Sequence, residues 1–179
     1  MLNGIFILAE LPSSIADQLR DINERYDPKL ARYKPPHITL TGSSGVGPIP
    51  PSVTVEVMRA AVEPIARTTA PLTLSFQPPQ RFMQTNIIVL PIEPHGPIRV
   101  LHDRLVTSGL PFTRSRYTFS PHATLSLYPS RDSKSLRELL DVRIPEPFVI
   151  DSIQLYHTRE PQPSRKLLEL QLTGGPTKD

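Results

Sequence analysis

The chain has 179 residues, with 20 basic and 17 acidic side chains and a formal net charge of +3. That length suits one domain with a sizeable core, and the charge excess is too small for a protein that coats nucleic acid. Cysteine is absent, which excludes disulfides, thiolate zinc sites and thiol nucleophiles.

At the N-terminus, Ile5 to Leu11 is an apolar run rich in β-formers. It lacks a basic n-region and is soon broken by Glu10, Pro12 and Ser13, so it reads as a first strand and not a signal peptide. No apolar stretch approaches membrane-spanning length, and a cytoplasmic protein is expected. Ser13 or Ser14 offers an N-cap for a helix over roughly 14–26, because Ile15, Leu19, Ile22 and Tyr26 recur at helical spacing. Asp27-Pro28 ends it. After Pro35-Pro36, His37-Ile38-Thr39-Leu40-Thr41 reads as a strand, and Gly42 to Pro51 as a loop. Val55, Met58, Ala61, Val62 and Ile65 mark a second helix that Pro64 should bend or shorten. Leu72 to Phe76 alternates as a strand.

The same order then runs again. Asn86 to Ile92 is a strand, and Ile98, Leu101, His102, Leu105 and Val106 mark a helix that stops at Gly109. A strand lies within Phe119–Tyr128, a short helix over Ser133–Leu140, and strands over Phe148–Tyr156 and Lys166–Leu172. Gly174 to Asp179 is a loose tail. Strand–helix–strand–helix–strand thus occurs twice, in halves of roughly 1–80 and 81–173. This predicts a single bilobal α+β domain: a duplicated β-α-β-α-β arrangement with a central cleft between two antiparallel sheets.

One tetrapeptide is repeated. His37-Ile38-Thr39-Leu40 and His122-Ala123-Thr124-Leu125 both read His-x-Thr-Leu, each after a proline, and each falls in the second strand of its half. Along a strand, residues i and i+2 share a face. His37 with Thr39, and His122 with Thr124, should therefore face a cleft while their neighbours face the core. Two imidazoles can serve as general acid and base near neutral pH, and two threonine hydroxyls can donate to phosphoryl oxygens. No metal and no cofactor is required for attack on a phosphodiester, and a strained cyclic one suits the set best.

The paired motifs, and the context Phe119-Ser120-Pro121-His122-Ala123-Thr124-Leu125, resemble the 2H phosphoesterase superfamily, which includes proteins named 2′-5′ RNA ligases and RNA 2′,3′-cyclic phosphodiesterases. The resemblance implies a duplicated fold and metal-free hydrolysis of cyclic or 2′-5′ phosphodiesters in a nucleotide or RNA end. It implies His37 and His122 as acid and base, with His122 activating water, and Thr39 and Thr124 as phosphate ligands. A domain of the same fold that binds a phosphorylated ligand with little turnover, and an ATP-independent 2′-5′ RNA ligase, are the alternatives. Thr41 to Pro48 departs from the usual continuation of the first motif and leaves the RNA substrate open. It is no P-loop, since no Gly-Lys-Ser/Thr follows.

Among the basic and aromatic residues near the motifs (Lys34, Arg114, Arg116, Tyr117, Tyr128 and Arg131), Arg116 and Tyr117 are the candidates for substrate contact at the cleft mouth; the rest read as loop or edge residues. His95, His102 and His157 read as structural or surface groups, and a zinc site would need more ligands than one per His-x-Thr strand. No protein partner is indicated, and a monomer is expected.

Overall fold

In the computed structural model, residues 1–82, 85–128 and 132–175 are described; Arg131 and the last four residues of the tail lie outside them. The first repeat runs β1 (Asn3–Glu10), α1 (Ser13–Tyr26), a short α2 (Pro28–Ala31), β2 (His37–Thr41), α3 (Val55–Arg67) and β3 (Leu72–Leu74). The second runs β4 (Gln80–Arg81), β5 (Ile88–Pro91), α4 (Pro97–Val106), β6 (His122–Ser126), α5 (Ser133–Leu140) and β7 (Phe148–Ile150), followed by β8 (Ser152–Arg159) and β9 (Arg165–Gln171). The duplicated β-α-β-α-β order is present, and the architecture is α+β with antiparallel sheets.

Three sheets form, with strand orders β2-β1-β8-β9, β4-β5-β6 and β3-β7. Each motif strand pairs antiparallel with the first strand of its own repeat: β2 with β1, and β6 with β5. The last strands of the two repeats, β3 and β7, pair with each other. β8 and β9 return to the first sheet, where β8 takes the second edge of β1. Sheet membership therefore crosses the division of the sequence at residue 80.

Several local expectations shift. Helix α1 begins at Ser13 after Pro12, and neither serine supplies a side-chain cap; Pro at the boundary sets the turn instead. Helix α3 continues past Pro64 to Arg67. One backbone bond is lost there, but Met58, Val62, Ile65 and Ala66 are buried along one face and hold the last turn in place. The segment Phe148–Tyr156 is two strands, because it changes sheets at Asp151. The two-residue β4 and the one-turn α2 carry no periodicity to read.

One core cluster spans both repeats. It contains Ile5, Ile7 and Ala9 of β1, Ile38 and Leu40 of β2, Ile88 and Leu90 of β5, and Ala123 and Leu125 of β6. Phe6, Leu8 and Tyr156 form a separate small cluster on the other face of the first sheet. Burying each large apolar side chain stabilises by about 1.5–3 kcal/mol, so the motif strands are anchored through every second residue.

Candidate active site

Alternation sets the site. Ile38, Leu40, Ala123 and Leu125 are buried in the core, whereas His37, Thr39, His122 and Thr124 are part-exposed on the opposite faces. β2 and β6 pack as neighbours across the junction of the repeats, and His37 and His122 lie near enough to interact electrostatically. Both motif pairings carry a register shift at the same point, between Ile7 and Leu8 opposite β2 and between Ile88 and Val89 opposite β6. Such bulges turn side chains locally, and here they do so in both repeats.

The histidines are held alike. His37 Nδ1 lies 2.7 Å from the carbonyl of Pro35, and His122 Nδ1 lies 2.7 Å from that of Ser120. A carbonyl only accepts, so each Nδ1 carries the proton and each neutral ring keeps its Nε2 lone pair for the cleft. Burial pushes His37 down to about 3, and the nearby Lys34 ammonium and His122 add to the effect against the bond to Pro35. Burial also lowers His122, opposed by the bond to Ser120. Both shifts favour the neutral imidazole, and a phosphate anion beside the rings would favour their protonation.

Each motif strand is braced by the other repeat. Asn23 of α1 donates from Nδ2 to the carbonyls of Thr124 (3.2 Å) and Leu125 (2.8 Å). Asp27 accepts from the backbone N–H groups of Leu127 and Tyr128 at 2.7 and 2.8 Å. From the second repeat, His102 of α4 donates from Nδ1 to the carbonyl of Leu40 at 2.7 Å. The His102 ring stacks on Phe119 with centroids 3.9 Å apart. Gly45, at φ +76°, passes so close to this ring that a Cβ would stand 2.4 Å from it. The glycine-rich loop after the first motif is laced to the segment before the second: Gly45 N–H donates to Tyr117 O, Gly47 N–H to Thr113 O, and Ser120 N–H to Ser44 Oγ. That explains a loop that carries no phosphate-binding signature.

The remaining candidates separate. Lys34 lies beside His37 and sets its ammonium 4.4 Å from the centre of the Phe6 ring; burial brings it down to about 8, with Glu160 partly opposing. A sequence reading leaves Lys34 among loop residues, because only the fold brings β1 under it. Arg116 and Tyr117 are exposed on the segment that leads to the second motif, and neither lines the cavity beside His122. Arg114 bridges to Val46, and Lys29 caps the Tyr128 ring at 4.0 Å. His157 bonds Asn3 at 2.8 Å and His95 sits 3.8 Å from Glu93, both on the surface. Among the described residues, no three His, Cys, Asp or Glu side chains gather as a metal cluster, and no helix is long and apolar enough to cross a membrane.

Beside His122 opens a cavity of about 390 Å³. Phe82 stands at its side, with its ring centroid 5.1 Å from that of His122. Gln77, Gln80, Arg81 and Pro94 also line it. Nothing in the local sequence marks these residues, because β4 is only two residues long.

A family model described as the 2′-5′ RNA ligase superfamily matches residues 11–162. Among solved structures, LigT of E. coli in complex with 3′-AMP is 19% identical, with a TM-score of 0.61 over 96% of this chain and 98% of that one. A crystal structure described as a phosphoesterase is 19% identical, with a TM-score of 0.62 over 97% and 99%. TT0787 of Thermus thermophilus is 16% identical, with a TM-score of 0.64 over 97% and 99%. No curated protein matches the chain.

Proposed function

The chain belongs to the 2′-5′ RNA ligase superfamily, a group of phosphoesterase-type proteins, and from that premise we propose that it is a metal-independent phosphodiesterase acting on a 2′,3′-cyclic phosphate or a related cyclic or 2′-5′ ester. The observation that carries this reading is the matched pair of imidazoles on neighbouring strands, each bound through Nδ1 to a carbonyl two residues earlier, which leaves Nε2 of each neutral ring available for proton transfer. LigT of E. coli has been solved with 3′-AMP, ATP and phosphate, ligands consistent with a nucleotide phosphate here.

In hydrolysis, water attacks phosphorus while one Nε2 takes its proton. The P–O bond to the leaving ribose oxygen breaks, and the other imidazole, protonated, gives that oxygen its proton. The product is a phosphomonoester, and the histidines have exchanged protonation states. Thr39 and Thr124 donate to the non-bridging oxygens, and the Lys34 ammonium offsets the charge that builds there. Joining a 2′-5′ linkage would use the same groups with a strand's 5′-hydroxyl in place of water: it attacks the 2′,3′-cyclic phosphate and gives its proton to one Nε2, the P–O3′ bond breaks, and the other imidazole protonates the 3′ oxygen.

The test is turnover, with EDTA present, of 2′,3′-cyclic nucleotides, an RNA ending in a 2′,3′-cyclic phosphate, and a 2′-5′ linked oligonucleotide. Wild type is compared with His37→Ala and His122→Ala. Turnover lost in both variants supports the two-histidine diesterase. Tight binding without turnover of any ester would favour a phosphate-binding module, and chelator-sensitive turnover would sink the mechanism.

A further inference from the structure

The two lobes present equivalent rows of residues to the cleft. In the first sheet, Thr39 of β2 pairs with Leu8 of β1, which pairs with Gln154 of β8. In the second, Thr124 of β6 pairs with Val89 of β5, which pairs with Gln80 of β4. An aromatic residue follows two positions after each glutamine, Tyr156 in one lobe and Phe82 in the other. Partners in register share a face, so Gln154-x-Tyr156 and Gln80-x-Phe82 are structural counterparts.

Their states differ. Gln154 is buried and fully engaged: its Oε1 accepts from Glu10 N–H at 2.8 Å, and its Nε2 donates to Ser152 Oγ at 2.8 Å and Glu169 Oε2 at 3.3 Å. Tyr156 donates to Glu10 Oε1 at 2.5 Å, and Lys166 bridges Glu10 and Glu169 at 2.7 and 2.9 Å. The wall beside His37 is therefore closed by its own network. Gln80 is exposed, and among the described residues its amide has no hydrogen bond; Phe82 leans toward His122 over the cavity of about 390 Å³.

From this asymmetry, and resting on the phosphodiesterase reading above, we infer that the cavity beside His122 seats the nucleobase of the substrate, stacked on Phe82 with its edge read by the Gln80 amide. An aromatic face supplies stacking to any base, and a carboxamide offers both a donor and an acceptor to a heterocycle's edge. The volume lies within the ~300–1,000 Å³ of small-molecule pockets. Val89, Pro91 and Pro94 give apolar walls that suit a flat ring, and Gln77, Arg81 and Ser120 add polar groups around it. The ligand is then lopsided in the cleft: phosphate between the histidines, base on the His122 side.

The experiment has a binding arm and a turnover arm. Binding of adenosine and uridine 3′-monophosphates is compared with that of glycerol phosphate, which has the phosphate but no base, in wild type, Gln80→Ala and Phe82→Ala. The nucleotides are expected to bind about tenfold or more tightly than glycerol phosphate, with Phe82→Ala removing most of that margin and Gln80→Ala reducing it unequally for the two bases. Equal affinity for nucleotide and glycerol phosphate in wild type, or an undiminished margin in both variants, would overturn the inference. The turnover arm uses glycerol 1,2-cyclic phosphate beside the nucleoside 2′,3′-cyclic phosphates. Equal kcat/KM on all of them overturns the base pocket and leaves the diesterase standing. A nucleotide margin that depends on Phe82, with no turnover of any ester, upholds the base pocket and removes the diesterase reading.

Discussion

His102 Nδ1 holds the carbonyl of Leu40 at 2.7 Å, and its counterpart across the cleft is Asn23, whose Nδ2 holds the carbonyl of Leu125 at 2.8 Å. Both carbonyls belong to the leucine of a His-x-Thr-Leu motif, and both donors come from a helix of the opposite repeat. Removing either donor leaves a buried carbonyl unsatisfied, which costs about 1–3 kcal/mol. His102→Ala and Asn23→Leu are each expected to lower the thermal midpoint and to reduce kcat/KM, His102→Ala through His37 and Asn23→Leu through His122. Calorimetry with steady-state kinetics checks both; an unchanged midpoint in either variant would show that water replaces the bond.

Replacing either cleft histidine by alanine should lower kcat/KM by about 10²–10⁴. The double variant should be little worse than the weaker single one, because the groups act as a unit. Thr39→Val and Thr124→Val should each cost up to about 10²–10³, the scale of one oxyanion donor. If both threonine variants kept wild-type kinetics, the hydroxyls would have no part in holding phosphate.

Catalysis needs one imidazole neutral and one protonated. Both titrate below the ordinary value of 6.5 in the free enzyme, His37 down at about 3. The kcat/KM profile should therefore be bell-shaped with its optimum on the acid side of pH 6.5, and kcat should peak at higher pH because bound phosphate favours the imidazolium. The limbs belong to the pair as coupled groups. Coincident profiles for kcat and kcat/KM would contradict this picture.

Lys34 acts on His37 by charge. Lys34→Met should raise the His37 titration toward the ordinary imidazole range, as followed by its ring proton in NMR, and should raise KM for the anionic ester. A titration curve that does not move would mean that burial alone sets the His37 value.

Stability should also depend on pH. His37, His102 and His122 are all lowered in the fold, chiefly by burial. The unfolded chain then binds more protons, so stability rises with pH across this window. The contribution is fully present above about 6.5 and is lost progressively as pH falls from there toward the folded values, about 3 for His37. Thermal midpoints from pH 7 to pH 5 should fall in wild type and fall less in His37→Asn; equal slopes would remove His37 from the account.

The geometry of the two motif strands was legible in the chain because strand alternation is a local rule. His37 and Thr39 on one face, with Ile38 and Leu40 on the other, follow from spacing alone, and the second motif repeats them. Long-range pairing was not legible. Nothing near Ser152 says that β8 will lie on β1 rather than in the sheet of the second motif, and nothing near Lys34 says that Phe6 will lie beneath it. Gln80 and Phe82 sit in a strand too short to carry a pattern, and only their register with Val89 and Thr124 relates them to Gln154 and Tyr156. Arg116 and Tyr117 are close to the second motif in sequence, yet their segment is tied by its backbone to the glycine-rich loop with both side chains exposed.

The position of β1 has a consequence for how the molecule is made. It lies between β2, which follows within a few dozen residues, and β8, which is synthesised only after the whole of the second repeat. Until Ser152–Arg159 emerges from the ribosome, β1 must wait with one edge bare, apolar on both faces at Ile5 to Leu8. An unpaired edge of that kind recruits other strands, so the period between making the first motif and closing its sheet is when this chain is most exposed to aggregation. A product stalled or cut short before β8 would retain both histidines and still lack two of the four strands of the sheet that carries the first of them.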